Sequence, residues 1–329
     1  IRDPEMSRGL GDVYKRQLMS CLLFVMAGCS GHSKNLKFGA ADIGGVYYSF
    51  ASTFTQLADK EIDGYTFETK TTAGSVANLR LISDGYIDLA IVQADLLSDA
   101  YNATGTFADK KYQKGYKAVA SLYTECCQIV VRKDSGITGI DDLINKTVSV
   151  GASESGTEKN AEQILKMSGI TDELINKVNM DYTEAAEKLK AGEIDAFFCT
   201  AGTRTEVIGQ LSKECDIRLI SLDDKCIDKM LSAYSLCEKY TIPAGTYNGQ
   251  DSDVTTIGVK AVLIAKQSLS DDVIKNVTKT IYEHADDFKY ATSLDISFDI
   301  NTAADGVDIP FHSGAAAYYT ERGINVLTE

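Results

Sequence analysis

The chain of 329 residues has no tryptophan, only three prolines, only three histidines, and no pair of cysteines at C-x-x-C spacing. With His32, His284 and His312 far apart in sequence, there is little from which to build a metal centre or a nucleophile–base pair. A thioredoxin-like redox site and a zinc ribbon have no support without C-x-x-C. Basic residues are scarce as well. The net charge is −14, and from Cys29 onward 29 basic side chains stand against 44 acidic ones. Such a surface keeps the chain soluble and repels phosphate backbones and anionic lipid, so nucleic acid is not an expected partner. Low-complexity tracts are absent too, and the composition, 44% hydrophobic and 24% charged, is globular, with length for two domains.

What is present is a repeat. Residues 85–93 read GYIDLAIVQ and residues 192–200 read GEIDAFFCT. Each follows an amphipathic helix pattern, LRLIS before the first and AAEKLKA before the second. Upstream of each, a strand runs into a loop of small residues and then a helix, over 36–58 and 148–165. The duplicated unit implies two similar α/β lobes facing each other, a clamp with a small-molecule cleft. In the first lobe the pattern predicts strands at 36–40, 65–73 and 87–93, with helices from Gly45 to Lys60, over 76–84 and over 94–104. A polar loop over 105–116 follows. Residues 117–133 are apolar over an unusual length and cross to the second lobe. There the expectation is a short helix, a strand running into the 150–152 loop, a helix over 157–168, a strand at 177–182, a helix over 183–191 and a strand at 194–199. Residues 203–240 read as mostly helical with one strand at 217–222. The β-forming run that ends at 266 returns the chain to the first lobe, and helices over 268–290 complete it. The lobes are therefore 36–125 with 255–329, and 126–254, and a hinge is expected at 121–131 and 242–258.

The N-terminus reads as an export signal. Lys15 and Arg16 precede the apolar run Leu18–Ala27, which has signal-peptide length and is too short to span a bilayer as a helix. Val25-Met26-Ala27-Gly28-Cys29 resembles a bacterial lipobox, with Met26 in place of the usual leucine and Cys29 as the lipid attachment point. Residues 1–17 resemble translated adapter sequence, so the native start is expected to be missing. Residues 1–28 are set apart as signal and 29–35 as a polar tether. Export permits disulfides among Cys126, Cys127, Cys199, Cys215, Cys226 and Cys237. The even spacing of the last three suggests one bridge among them. Cys126 and Cys127, in a strand-like run, read as buried small hydrophobes.

Three loop-to-helix junctions carry candidate chemistry. A helix N-terminus offers free N–H groups and about half a positive charge, suited to a carboxylate or phosphate. Ser153-Glu154-Ser155-Gly156-Thr157 supplies hydroxyl donors and a glycine. Ile43-Gly44-Gly45-Val46-Tyr47 adds an aromatic wall. Thr72-Ala73-Gly74-Ser75-Val76-Ala77-Asn78 is the third, with Ser75 placed to cap its helix. GASESGT has Thr157 where a P-loop needs lysine, so nucleotide hydrolysis lacks support. His284 reads as solvent-exposed in a polar helix and His312 as packing of the closing segment. Asp88 and Asp195, one in each repeat, read as turn or cap acceptors.

In order along the chain, GGVYYSFASTFTQLA, TAGSVANLRLISDGYIDLAIVQAD, GITGIDDLINKTVSVGASESGTE, GEIDAFFCTAGT, IPAGTYNG and IPFHSGAAAYYTERG together resemble the TAXI family. These are the solute receptors of tripartite ATP-independent periplasmic (TRAP) transporters, and the likeness runs over about residues 36–325. It implies a type II periplasmic-binding-protein fold with its cleft between two lobes and two crossing segments as hinge. It implies no catalysis, cofactor or metal, and a lipid-anchored monomer facing outward from the cytoplasmic membrane. Its ligand would be glutamate, glutamine, 2-oxoglutarate or a similar small carboxylate, delivered to a sodium-driven TRAP permease. Carried onto this chain, the binding residues are Gly45, Tyr47, Ser75, Asn78, Gln93, Ser153, Ser155, Gly156, Thr157, Thr200, Gly202 and Tyr247. Tyr47 rather than Tyr48 is expected to face the ligand. Arg204 either contacts a carboxylate or is exposed. Two rival functions use the same clamp: a sensor feeding a signalling partner, and an enzyme built on Ser155 or on Cys126-Cys127, which lacks a base.

Overall fold

Each half of the chain begins as its alternation of apolar runs and small-residue loops suggests. β1 (Lys34–Gly39) leads through a tight loop into α1 (Val46–Glu61), then β2 (Tyr65–Lys70), α2 (Ser75–Ser83), β3 (Leu89–Gln93) and α3 (Ala94–Asn102). The long apolar run becomes β4 (Tyr116–Arg132), of 17 residues. The second half then repeats the plan with β5 (Thr147–Ser149), α4 (Gly156–Met167), β6 (Asn176–Val178), α5 (Tyr182–Ala191) and β7 (Ala196–Ala201). After it come α6 (Glu206–Glu214), β8 (Ile217–Leu219), α7 (Asp224–Ala233), β9 (Cys237–Ile242) and β10 (Val254–Lys266). Helices α8 (Asp271–Glu283), α9 (Ala285–Thr292) and α10 (Ser313–Thr320) close the chain. The structure, a computed structural model, describes residues 33–109, 115–292 and 298–329. The signal, adapter and lipid-anchor expectations, Cys29 included, lie outside the described residues.

The strands form one sheet in the order β2-β1-β3-β10-β4-β7-β5-β6, with β8 on β4 and β9 on β10. β1 and β3 are parallel, as are β5, β6 and β7, while β10 and β4 run antiparallel to their neighbours and to each other. The order is therefore symmetric about the central β10–β4 pair, with one copy of the sequence repeat on each side. Even the repeated aspartates match. Asp88 Oδ2 accepts the Lys37 N–H at 2.9 Å, and Asp195 Oδ2 accepts the Thr147 N–H at 2.8 Å. Each fastens the last strand of its unit to the first, accepting across strands rather than in a turn or cap as expected, and Asp88 also pairs with Lys266 at 2.7 Å.

β4 passes from β10, which it pairs over 116–126, to β7, which it pairs over 126–131. β10 likewise leaves β9 and joins β4 near Gly258. Alternate side chains of the second half serve two cores. Phe197, Cys199 and Ala201 join the large core shared with the first half, and Ala196 and Phe198 join a smaller one with Ile129, Val131 and Ile164.

The structure corrects several expectations. Cys237–Ile242 is a strand paired antiparallel with β10 rather than helix: its end residues Cys237 and Ile242 are buried and the residues between them lie along an edge. The strand expected at 177–182 shortens to β6, since Asp181 caps α5 by accepting the Glu184 N–H at 2.8 Å. The 105–116 stretch is not simply polar: Phe107 and Tyr116 are both fully buried. No bridge joins Cys215, Cys226 or Cys237; all six described cysteines are free thiols. Cys226 instead packs in the smaller core and accepts the Ser168 hydroxyl at 3.4 Å. His284 is held between Glu61 and Asp287 at the surface, and His312, buried, accepts the Gly314 N–H at 3.2 Å as the cap of α10. Among the described residues no helix is long and apolar enough to cross a membrane.

Candidate functional site

The first turns of α1, α2 and α4 converge on one cavity. Its first wall is Asp42, Gly45, Val46 and Tyr47. Its second is Ser155, Gly156 and Thr157, and Gly74 and Ser75 of the α2 turn close a third side. Gln93, Glu125, Tyr182 and Thr200 complete the lining. The volume is ≈ 30 Å³, room for about two waters, so a larger solute needs the cleft to widen.

Eight of the twelve expected residues are brought together here: Gly45, Tyr47, Ser75, Gln93, Ser155, Gly156, Thr157 and Thr200. Tyr48 is not among the lining residues. Four others stand elsewhere, each for a physical reason. Asn78 is fully buried beneath the sheet, where its Nδ2 donates to the carbonyls of Ala40 at 2.6 Å and Ile91 at 2.9 Å. Ser153 is exposed on the outer side of its loop. The Gly202 carbonyl accepts the Thr205 hydroxyl at 2.6 Å and so turns the chain after β7. The Tyr247 hydroxyl is used within the fold, donating to Gln128 Oε1 at 2.6 Å and accepting the Thr205 N–H at 3.1 Å. Arg204 is exposed and does not line the cavity.

Local hydrogen bonds set each wall. Ser155 Oγ accepts the Glu158 N–H at 3.0 Å, capping α4. No side chain caps α1 or α2; the Ala77 N–H of α2 goes to the Glu154 carbonyl at 3.1 Å, and the other first-turn N–H groups are left to a ligand. Ser75 does not cap α2 as expected: Gly74 holds that position, and the Ser75 hydroxyl accepts the Gln93 N–H at 3.1 Å. Gly74 also sits at φ 123, where a side chain is disfavoured and where an added Cβ would stand 3.4 Å from Ser155 Cα. Thr157, Tyr182 and Thr200 form a closed ring. The Thr200 N–H donates to Thr157 Oγ1 (3.1 Å), Thr157 shares a hydrogen bond with the Tyr182 hydroxyl (2.5 Å), and that hydroxyl donates to the Thr200 carbonyl (3.0 Å).

Sequence reasoning missed the acids of the site, Asp42 and Glu125, and Tyr182. Glu125 is 3% exposed and accepts the Tyr47 hydroxyl at 2.8 Å. Burial pushes its carboxyl up to about 8, against the opposing hydrogen bonds of Tyr47 and Gln93. Burial, then the neighbouring Asp181, push Asp42 up to about 6. No Lys, Arg or His is among the described residues that line the cavity. Ser155 has no histidine beside it in the lining, and burial drives the Cys126 and Cys127 thiols upward, away from the reactive thiolate. Among the described residues no group of three or more His, Cys, Asp or Glu is placed to hold a metal ion.

Duplicated α/β halves about a central antiparallel pair, with helix N-termini gathered over one cavity, make the fold of the two-lobe periplasmic binding proteins. The chain belongs to the NMT1-like family, whose model matches residues 38–323. Its fold resembles that of PhnD1 from Prochlorococcus marinus (MIT 9301), solved with methylphosphonate (TM-score 0.56, 12% identity, 80% of this chain and 93% of that one). It also resembles a protein of Bordetella bronchiseptica RB50 (0.53, 17%, 79% and 76%) and a putative L-cystine ABC transporter of Listeria monocytogenes (0.50, 14%, 79% and 94%).

Proposed function

We propose that this protein is an extracytoplasmic, non-enzymatic receptor that closes on a small carboxylate and hands it to a membrane permease. The observation that carries this reading is the meeting of three helix N-termini, two of them without side-chain caps, on one enclosed cavity. Lobes 36–125 with 255–329 and 126–254 would open about the stretch where β4 and β10 change partners, around Cys126 and Gly258. Binding then shifts the population toward the closed form. Cys29 would tether the receptor to the outer face of the membrane.

The test is thermal unfolding with glutamate, glutamine, 2-oxoglutarate, succinate, and sugars and nucleotides as controls, after refolding to strip carried-over solute. A ligand at ~100 times its dissociation constant adds ~2.7 kcal/mol and raises the midpoint by at least about 2–4 °C. A response to sugars alone, or to nothing, rejects the reading. For the partner, the sequence resemblance favours a TRAP permease, whereas the Listeria neighbour is named as an ABC transporter. Uptake that stops when the sodium gradient is collapsed supports the former, and uptake that stops only on ATP depletion supports the latter.

A further inference from the structure

The cavity has a second chemical face that a carboxylate alone leaves unused. Glu125 lies in its wall with one oxygen on the Tyr47 hydroxyl and no basic side chain among the described lining residues. Gln93, 2% exposed, donates through Nε2 to Asn160 at 3.0 Å, and its Oε1 is buried without a partner. Thr200, 5% exposed, likewise has a buried Oγ1 without a partner. Glu125 accepts from Tyr47 and from Gln93, but the two buried acceptors beside it in the lining, Gln93 Oε1 and Thr200 Oγ1, have no donor, and buried polar atoms left unmatched are costly. A primary ammonium group brings three donors and a positive charge.

We infer that Glu125, with Gln93 and Thr200, forms a seat for a primary ammonium group, so that the solute is an α-amino acid. This rests on the receptor reading and adds to it which end of the solute each wall takes. The carboxylate meets the helix N-termini, and the ammonium group meets Glu125. In the empty closed cavity the carboxyl is neutral, and the incoming cation converts it to carboxylate. The proton lost from Glu125 goes to bulk water while the ammonium keeps all three of its own. The titratable and charged groups facing Glu125 are Tyr47 from α1, Asp95 from α3, Tyr182 from α5, Cys199 from β7, and Tyr123 and Cys126 from its own strand. Asp42 shares the lining. Of these only Asp42 and Asp95, both pushed up to about 6, titrate below Glu125 and near the working range.

Two measurements on the whole protein decide it. Binding of L-glutamate, L-glutamine and L-alanine is compared with that of their deaminated partners 2-oxoglutarate, 2-oxoglutaramate and pyruvate. Losing the ammonium should weaken binding about 10- to 100-fold, the scale of a charged hydrogen bond. Calorimetry of the tightest amino acid at pH 7, in two buffers of different ionisation heat, should show close to one proton released per solute, falling toward zero above pH 9. Glu125→Gln keeps an acceptor for Tyr47 and should bind more weakly with no proton release. Equal affinity for amino acids and their deaminated partners overturns the ammonium seat and leaves the carboxylate receptor standing. Proton release unchanged in Glu125→Gln overturns the assignment to Glu125. Failure of every acid on the panel to bind overturns both.

Discussion

The two loop-to-helix junctions share a backbone and differ in almost every side chain. At the first the chain reads Asp42-Ile43-Gly44-Gly45-Val46-Tyr47, and at the second Ala152-Ser153-Glu154-Ser155-Gly156-Thr157. Both turn on the same bond, Gly45 N–H to the Asp42 carbonyl and Ser155 N–H to the Ala152 carbonyl, each at 3.1 Å. Both pass through a left-handed residue, Gly44 at φ 91 and Glu154 at φ 65. The fold needs the turn, so both copies keep it. On the receptor reading proposed above the solute meets two unlike walls, and there the side chains diverge. One wall is acidic and aromatic, with Asp42 and Tyr47 beside Glu125. The other is neutral, with Ser155, Gly156 and Thr157.

The largest expected effect tests the acidic wall. Glu125 has an ordinary value of 4.5 and a folded value of about 8. Between those values the unfolded chain has lost this proton and the folded chain still holds it, so stability falls as pH rises from about 4.5 to about 8. With the cavity empty the fall attributable to Glu125 is roughly 3–5 kcal/mol. Asp42 acts in the same direction over a lower window, from 3.8 to about 6. Denaturant unfolding of the wild type and Glu125→Gln from pH 5 to 8.5 should show the slope flattened in the variant. Identical slopes would remove the asymmetry between the walls.

How much of this was legible follows from the same comparison. Backbone features were readable because they repeat: the two strand–loop–helix units, the three helix N-termini and the matched aspartates Asp88 and Asp195 all leave a periodic or small-residue signature. Side chains that enter the site from outside those motifs left none. Glu125 lies within an apolar run that read as a crossing strand, and only its burial distinguishes it from a surface glutamate. Tyr182 looked like the last residue of a strand, and Asp42 like loop. In the opposite direction, Asn78, Gly202 and Tyr247 belonged to matched segments but are committed to the fold. A resemblance carries a segment across whole, and cannot separate the residues that face the cavity from those that hold it up.

Gly44 and Ser155 give intermediate effects, one in each junction. Gly44→Ala has space, since the nearest atom to its new Cβ is Thr183 Oγ1 at 3.9 Å. Its cost is conformational, about 1–2 kcal/mol for a side chain at positive φ. Ser155→Ala has no such strain, and the loss of the cap on α4 should cost about 1 kcal/mol. Chemical denaturation measures both. If Gly44→Ala were harmless, the first junction would not require the left-handed turn that pairs it with the second.

The smallest effect on stability is the most informative about closure. Glu154 keeps a side chain at a left-handed position where the first junction uses glycine. That carboxylate crosses to α2, pairing with Arg80 Nε at 3.1 Å and Nη2 at 2.6 Å, while its carbonyl accepts the Ala77 N–H at 3.1 Å. Glu154→Gly relieves about 1–2 kcal/mol of strain, of which the greater freedom of glycine in the unfolded chain takes back about 0.4–1 kcal/mol, and also removes the ion pair. The pair is partly exposed, with 32% and 41% of its side chains accessible, so screening leaves it about 0.2–1 kcal/mol. The two changes nearly cancel, and the unfolding free energy should move by less than about 0.5 kcal/mol. The ion pair and the carbonyl contact both link the α2 turn to the second junction, and only the pair is lost. Solute should therefore dissociate a few-fold faster from Glu154→Gly, and Arg80→Gln should reproduce that rate without the relief of strain. Dissociation rates unchanged in both variants would mean that the two junctions are held together by the solute and the cavity walls alone, and that the side chain at 154 is tolerated rather than used.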